Sequence, residues 1–324
     1  MGEYASPLNG WPVLVERSQP VGAPVEQVWS LLSGPGAMVL RPSSFAFDVA
    51  AAPRATLRVV LSAPLTSPIC VAYEVREEVP GQVVSLTLPG RPPGGGEAFT
   101  LSVAPERAGS LLAIQVRAGV ADHAGQAVVA DYWRHALPLW LAGLRDVAEG
   151  RAPVPDGRMP AELQAACTPA TLPGRPASAS ASATIAAPSE AVWEAVCAPE
   201  STALMSRGGW ARAGVVPGTP ARQVGEMQYF LSQLDNGQLG NTVVMVKELS
   251  AGRFVLFSQV GRTRLEMLHH VEPHRRATRL ELTFRCPADE PHRQAVSRSM
   301  TGTVQQRVRA YKDLIENPRS PWAS

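Results

Sequence analysis

The sequence predicts an α+β fold made twice over, each copy a curved antiparallel sheet wrapped around a long C-terminal helix. Three observations carry that prediction. Val21 to Trp29 reads VGAPVEQVW and Ile185 to Trp193 reads IAAPSEAVW, so Ala, Pro, Glu, Val and Trp recur at identical spacing. Each copy continues into short segments with the two-residue periodicity of strands and closes on one long segment of helical periodicity. Between the copies lies a stretch rich in Pro, Ala and Ser. The repeat is far longer than the roughly 20–50 residues of a solenoid unit, so the duplicated object is a domain.

In the first copy Val13–Val21 reads as a strand and Pro24–Leu32 as a short helix, with Pro24 in the first turn, where a missing N–H costs nothing. Strand-like segments follow at Phe45–Val49, Leu57–Leu61, Ile69–Val79, Val83–Leu88, Ala98–Val103 and Leu111–Val116. Pro80-Gly81 and Pro89 to Gly96 read as hairpin loops. Gln126–Glu149 carries Val129, Trp133, Leu137, Trp140, Leu144 and Val147 at helical spacing, and Pro138 is expected to kink or break that helix. The second copy repeats the order. A short helix starts at Pro188, with strands at Glu226–Ser232, Thr242–Leu249, Arg253–Val260, Arg264–Val271 and Thr278–Phe284. Its closing helix runs from Pro291 to Glu316, with Val296, Met300, Val304, Val308, Tyr311 and Ile315 on one stripe. The domains so delimited span 10–150 and 181–317. Residues 151–180 form a linker whose Ser/Ala end runs towards the second domain's first strand.

Composition excludes several function classes. With 45% hydrophobic and 18% charged residues, the chain has the balance of a soluble protein, and a net charge of +2 supplies no basic field for nucleic acid. Its apolar runs are far shorter than the roughly 20 residues of a membrane span, and no secretory signal pattern opens the chain. Cys70, Cys167, Cys197 and Cys286 are scattered and form no CxxC pair, which fits free thiols in the cytoplasm. Met1-Gly2-Glu3-Tyr4-Ala5-Ser6 matches the loose myristoylation pattern, but acidic and bulky residues follow the glycine and the match is read as chance.

A strand running into A-P-x-E-x-V-W, a meander of strands and a long final helix together resemble the START-like helix-grip (SRPBCC) superfamily, over residues 10–150 and 180–317. That resemblance implies a deep cavity between sheet and closing helix for an apolar or aromatic ligand. Two tandem copies are similar in layout to the di-domain polyketide aromatase/cyclases, and the Ala-, Gly-, Pro- and Arg-rich composition is what a high-GC bacterial gene encodes. The likeness implies binding of a polyketide-type molecule and help with its cyclisation and dehydration. It also implies an acyl-carrier protein as partner and no cofactor. Single-domain members carry a Trp-Pro pair after the first helix; here the copies continue Ser33-Gly-Pro-Gly-Ala-Met38 and Ala198-Pro-Glu-Ser-Thr-Ala203, without it. A second function class therefore stands beside the first, a non-catalytic carrier or sensor of a hydrophobic ligand or lipid.

Cyclising a poly-ketone calls for enolate stabilisation and a proton shuttle in an apolar cavity. Tyr73 shares a face with Val71, Val75 and Val79, whereas Arg76 shares one with Glu74 and Glu78. Arg76 nonetheless lies on the strand where the resemblance places a cavity arginine. His269 alternates with Leu265, Met267 and Val271, which turns it inward and His270 outward. Tyr229 falls with Met227 and Leu231 and is expected to present its hydroxyl to the same cavity. Tyr73, Arg76, His269 and Tyr229 are thus the candidate catalytic residues. The expected cavity lining is Leu57, Val59 and Met267 from strands with Trp133, Met300 and Val304 from the closing helices. No metal site is expected, because His269 and His270 point to opposite faces and no carboxylate or cysteine stands at ligand spacing. Gly94-Gly95-Gly96 has no following Lys-Ser/Thr and reads as a loop, and no Gly-x-Ser-x-Gly elbow is present.

Overall fold

The computed structural model describes residues 13–51, 56–63, 68–88, 96–119, 123–168, 171–172, 174–205, 211–233, 239–258 and 264–317. The Met1-to-Ser6 segment and Gly94-Gly95 fall outside them. The chain forms two compact units, and each holds one seven-stranded antiparallel sheet.

The first unit runs β1 (Val13–Val21), α1 (Val25–Ser33), α2 (Gly36–Val39), β2 (Ser44–Ala50), β3 (Thr56–Ser62), β4 (Ile69–Val79), β5 (Val83–Thr87), β6 (Gly96–Glu106), β7 (Gly109–Gly119) and α3 (His123–Ala148). A short helix α4 (Ala161–Cys167) follows, inside the stretch expected to be a linker. The second unit runs β8 (Ala177–Ile185), α5 (Ser189–Cys197), α6 (Pro199–Leu204), β9 (Ala211–Val215), β10 (Met227–Gln233), β11 (Leu239–Ser250), β12 (Arg253–Ser258), β13 (Leu265–His274), β14 (Ala277–Cys286) and α7 (Arg293–Glu316). Strand order is β1-β7-β6-β5-β4-β3-β2 in one sheet and β8-β14-β13-β12-β11-β10-β9 in the other. The two orders are the same topology. The chain is a tandem of two helix-grip units, each with a curved sheet around its closing helix.

The repeated motif begins each first helix. Pro24 and Pro188 occupy the cap position, one residue before the helix, in an extended conformation. Glu26 and Glu190 lie in the first turn, next to the helix's positive end, and Val28 and Val192 are buried. Three devices then recur at matching places. The N–H of Gly22 donates to Glu149 Oε1 at 2.6 Å and that of Ala186 to Glu316 Oε1 at 2.7 Å, fastening each closing helix to the motif. Ser110 Oγ donates to the carbonyl of Ala23 and Thr278 Oγ1 to that of Ala187. The last carbonyl of each first helix accepts from a buried side chain, Ser33 from Arg58 at 2.7 Å and Cys197 from Gln228 at 3.3 Å. The duplication therefore extends to side-chain chemistry that the sequence alignment of the motif does not reach.

Helix α3 runs unbroken through Pro138, against expectation. Pro138 and Arg134, whose carbonyl would have received the missing N–H, are both exposed, so the freed acceptor lies on the solvent side of the helix.

A second correction concerns which face of a strand is inside. Ala46 and Val60 pack in the core beneath α3, while Leu57 and Val59 lie on the opposite face of β3. Leu57 and Val59 are therefore removed from the cavity lining. The inner face carries Arg58 instead, 0% exposed and bonded to Asp48 at 2.8 Å. The same inversion affects β10. Phe230 packs towards α7, so Met227, Tyr229 and Leu231 share the outer face, and Tyr229 lies over Gly214 of β9. Alternation failed here because Phe47, Val59 and Met227 make the outer faces as buried as the inner ones. When both faces are buried, apolarity no longer marks the inside.

Candidate ligand cavity

The two cups differ in how they are filled. In the first, Tyr73, Phe99, Trp133 and Trp140 form one cluster: Tyr73–Phe99 centroids are 5.5 Å apart, Phe99–Trp133 5.3 Å and Phe99–Trp140 5.7 Å, all edge to face. Each ring is at most 2% exposed. Trp133 Nε1 donates to Glu97 Oε1 at 2.8 Å and Trp140 Nε1 to the carbonyl of Ala37 at 2.6 Å. The Arg41 guanidinium lies 4.7 Å from the Trp133 ring centroid and 3.9 Å from Glu97. Tyr73 and Trp133 thus stand inside the first cup, as packing against other rings. Arg76 does not: it is half exposed and paired with Glu74 at 3.0 Å on the outer face. Its place as a catalytic candidate is withdrawn, because polar-out alternation holds for this strand.

Strand register and the shared clamps identify the second-copy residues at these positions. Phe99 pairs with Leu86 and Val116, and Met267 with Leu256 and Phe284. Counting back from Glu149 and Glu316 along the closing helices, Trp133 matches Met300 and Trp140 matches Arg307. Tyr73, two residues before the Val75 that pairs with Leu86, matches Val244, two before the Val246 that pairs with Leu256. Four packed aromatic rings are replaced by two methionines, a valine and an arginine.

A cavity of about 1140 Å³ lies between α7, α6 and the sheet, and three of these four residues, Val244, Met267 and Arg307, line it. Met205, Phe230, Val244, Leu265, Met267 and Phe284 form its apolar wall. Thr202, Ser232, Thr242 and Ser258 add hydroxyls, and Arg307 brings a guanidinium from the closing helix. Arg307 Nη2 donates to Thr202 Oγ1 at 2.8 Å, while its Nε is buried without a partner. Of the residues predicted to line a cavity, Met267 does so. Met300 is half-buried against Cys286 Sγ at 3.7 Å, and Val304 is fully buried in the core under α7.

His269 faces inward but is set into the core behind this wall, between Phe254 and Tyr311. Its Nδ1 lies 3.3 Å from the carbonyl of Phe254, which places the proton on Nδ1 and leaves Nε2 as a buried acceptor without a partner. Burial, and then the charge of Arg307, push its pKa down to about 3, so the ring is neutral at physiological pH. In the first copy the matching place, between Val84 and Ile114, is held by Leu101. Sequence reasoning missed Arg307 because it follows Gln305-Gln306 and precedes Arg309, which reads as a solvated helix face. Arg212 and Ala211, also at the cavity wall, escaped notice because β9 (ARAGV) lacks apolar alternation.

Among the described residues no three His, Cys, Asp or Glu side chains come together as a metal site requires. No helix among them is long and apolar enough to cross a membrane. The four cysteines are free.

No family model matches the sequence, and no curated protein matches it. Among solved structures, the chain is similar to the di-domain ARO/CYC StfQ from the steffimycin biosynthetic pathway, at 12% identity and a TM-score of 0.35, over 94% of this chain and 99% of that one. It is similar to the di-domain ARO/CYC BexL from the BE-7585A biosynthetic pathway, at 16% identity and a TM-score of 0.36, over 93% and 98%. A protein from the dynemicin biosynthetic locus, DynU16, aligns at 10% identity and a TM-score of 0.31, over 93% and 98%.

Proposed function

We propose that the chain is a polyketide cyclase/aromatase-like protein that receives an apolar or aromatic small molecule in its second cup and assists ring closure and loss of water. The observation that carries this reading is the cavity of about 1140 Å³, emptied of the aromatic rings that fill the first cup and given Arg307 in place of Trp140. Its volume lies just above the range of roughly 300–1,000 Å³ usual for small-molecule sites, which suits a folded multi-ring chain. The apolar residues of the wall mould the ligand, while Arg307 and Thr202 face its oxygens. A guanidinium in an apolar surround stabilises negative charge developing on a carbonyl oxygen as an enolate forms. The first cup, where four aromatic rings pack together, serves as scaffold.

A carrier reading is favoured by one specific observation. The ionisable residues on the described cavity wall are Arg212, Arg307, Arg309 and Asp313, and His269 stands behind it. An acid/base pair facing the ligand is not among them, and a carrier needs none. Incubation of a poly-β-ketone, offered both carrier-tethered and as the free acid, with and without the protein separates the two. The cyclase reading expects a shift towards one regular ring pattern that Arg307→Gln abolishes. An unchanged product spectrum, with ligand still bound, leaves a carrier.

A further inference from the structure

We propose that the ligand of the second cup is a free acid, an apolar ring system bearing a carboxylate that docks on Arg307. This rests on the reading of that cavity as a small-molecule site and specifies what enters it. The wall carries three arginines, Arg212, Arg307 and Arg309, against one carboxylate, Asp313. The charge balance among these described residues is positive, in a chain whose overall charge is close to neutral. Arg307 is the telling member. Its partner among the described residues is the neutral hydroxyl of Thr202, and its Nε is shut off from solvent with nothing to donate to. A buried guanidinium N–H without an acceptor is costly, so this half-buried arginine is suited to an anion that arrives with the ligand.

Other groups near Arg307 do not fill that role. His269 is neutral and its free Nε2 is an acceptor with no charge. The first copy offers an internal comparison. There the matching position is Trp140, whose single N–H is satisfied by the carbonyl of Ala37, and the Arg41 guanidinium beside the rings has Glu97 next to it. Among the described residues a carboxylate thus stands beside the guanidinium in the first cup, and none stands within ion-pair distance of Arg307 in the second. A carboxylate matches the planar fork of a guanidinium with two parallel hydrogen bonds, which a ketone or thioester oxygen cannot offer. A free carboxylate further implies that the molecule reaches this site after hydrolysis of any thioester that held its acid carbon. The class of reaction upstream is then an acyl-thioester hydrolysis, and the cup acts on, or carries, the released acid.

The test uses the full chain and two isosteric probes, anthracene-2-carboxylate and anthracene-2-carboxamide, titrated by calorimetry at neutral pH. The acid is expected to bind at least tenfold more tightly than the amide. Arg307→Gln brings the two affinities together by weakening the acid alone, and Arg307→Lys retains part of the preference. Circular dichroism checks that each variant is folded. Equal binding of acid and amide by the unaltered chain overturns the free-acid proposal and leaves the cavity reading standing, as does a preference that survives Arg307→Gln. Failure of both probes to bind overturns the cavity reading as well.

Discussion

Arg307 on α7 and Thr202 on α6 are joined across the mouth of the second cup by a hydrogen bond of 2.8 Å, at the place where the first cup joins Trp140 to Ala37. The bridge is kept while the residue carrying it changes from an indole to a guanidinium. Removing the hydroxyl with Thr202→Val should cost about 1–2 kcal/mol of stability, since the bond involves a charged donor. It should leave the affinity for a neutral aromatic probe within about twofold, because a valine at that place conserves the apolar mould. Urea unfolding and a fluorescence titration measure the two quantities. A large loss of neutral-probe binding would show that the bridge, and not the cavity wall, holds the ligand.

His269 makes stability depend on pH in a known direction. Its folded pKa of about 3 lies below the ordinary histidine value of about 6.5. The unfolded chain therefore takes up the proton first on acidification. The contribution is full above about pH 6.5 and falls as pH drops towards 3. Between pH 7 and 5 the gap in unfolding free energy between the unaltered chain and His269→Leu should shift by about 2 kcal/mol in favour of the variant. Leucine is the residue the first copy uses there, at Leu101. A ring that titrates near pH 6.5 by NMR in the folded protein would contradict this placement.

The paired clamps predict equal effects in the two units. Glu149→Gln and Glu316→Gln should each cost about 0.5–1 kcal/mol, the worth of one backbone N–H bonded to a carboxylate at the surface. The Ala186 N–H holds the Glu316 carboxyl below its usual range, against a smaller opposing effect of burial and with further help from Lys312. A depressed carboxylate contributes stability that is present above its unfolded value and lost as pH falls through its folded one. The Glu316→Gln cost should therefore shrink in acid, starting below the ordinary glutamate value of about 4.3 and vanishing as pH falls through the lower folded one. A cost that persists there would point to packing and not to charge.

Arg58 and Asp48 test whether the inner face of β3 is assigned correctly. Arg58 is 0% exposed, while the Asp48 side chain keeps 31% of its surface. Asp48→Asn leaves a buried guanidinium without its counter-charge, at a cost of about 3 kcal/mol or more; Arg58→Met leaves only a half-solvated carboxylate and should cost less. Thermal unfolding of the two variants gives the order. The reverse order would place Arg58 on the solvent side.

The sheets and closing helices could be read from periodicity alone because their apolar residues repeat at two and 3.6. The strand Ile69–Val79 coincides with β4, and Val13–Val21 with β1. Faces were less legible. Leu57, Val59 and Leu61 alternate cleanly, yet they line the outside of β3, since the outer face is itself buried and alternation only separates two faces without naming them. His269 was legible as inward because it alternates with Leu265, Met267 and Val271, and the structure leaves His270 beside it exposed. Arg307 was not, because a cation on a helix among glutamines and another arginine carries the pattern of a solvated stripe. Its meaning appears only when the copies are superimposed in register, where it stands in for Trp140.

That substitution of residues is the central claim of the proposed function: the second cup is the one proposed to take a ligand because it lacks the rings that pack together in the first. Val244 and Met267 both line the cavity and match Tyr73 and Phe99. The most direct measurement is the affinity of the double variant Val244→Tyr/Met267→Phe for anthracene-2-carboxamide, taken with its melting temperature. Refilling the cup should weaken binding at least tenfold while leaving the melting temperature unchanged or higher, since a void is filled with residues the fold already accommodates. Undiminished binding by a variant that is folded and stable would contradict the account and place the ligand elsewhere.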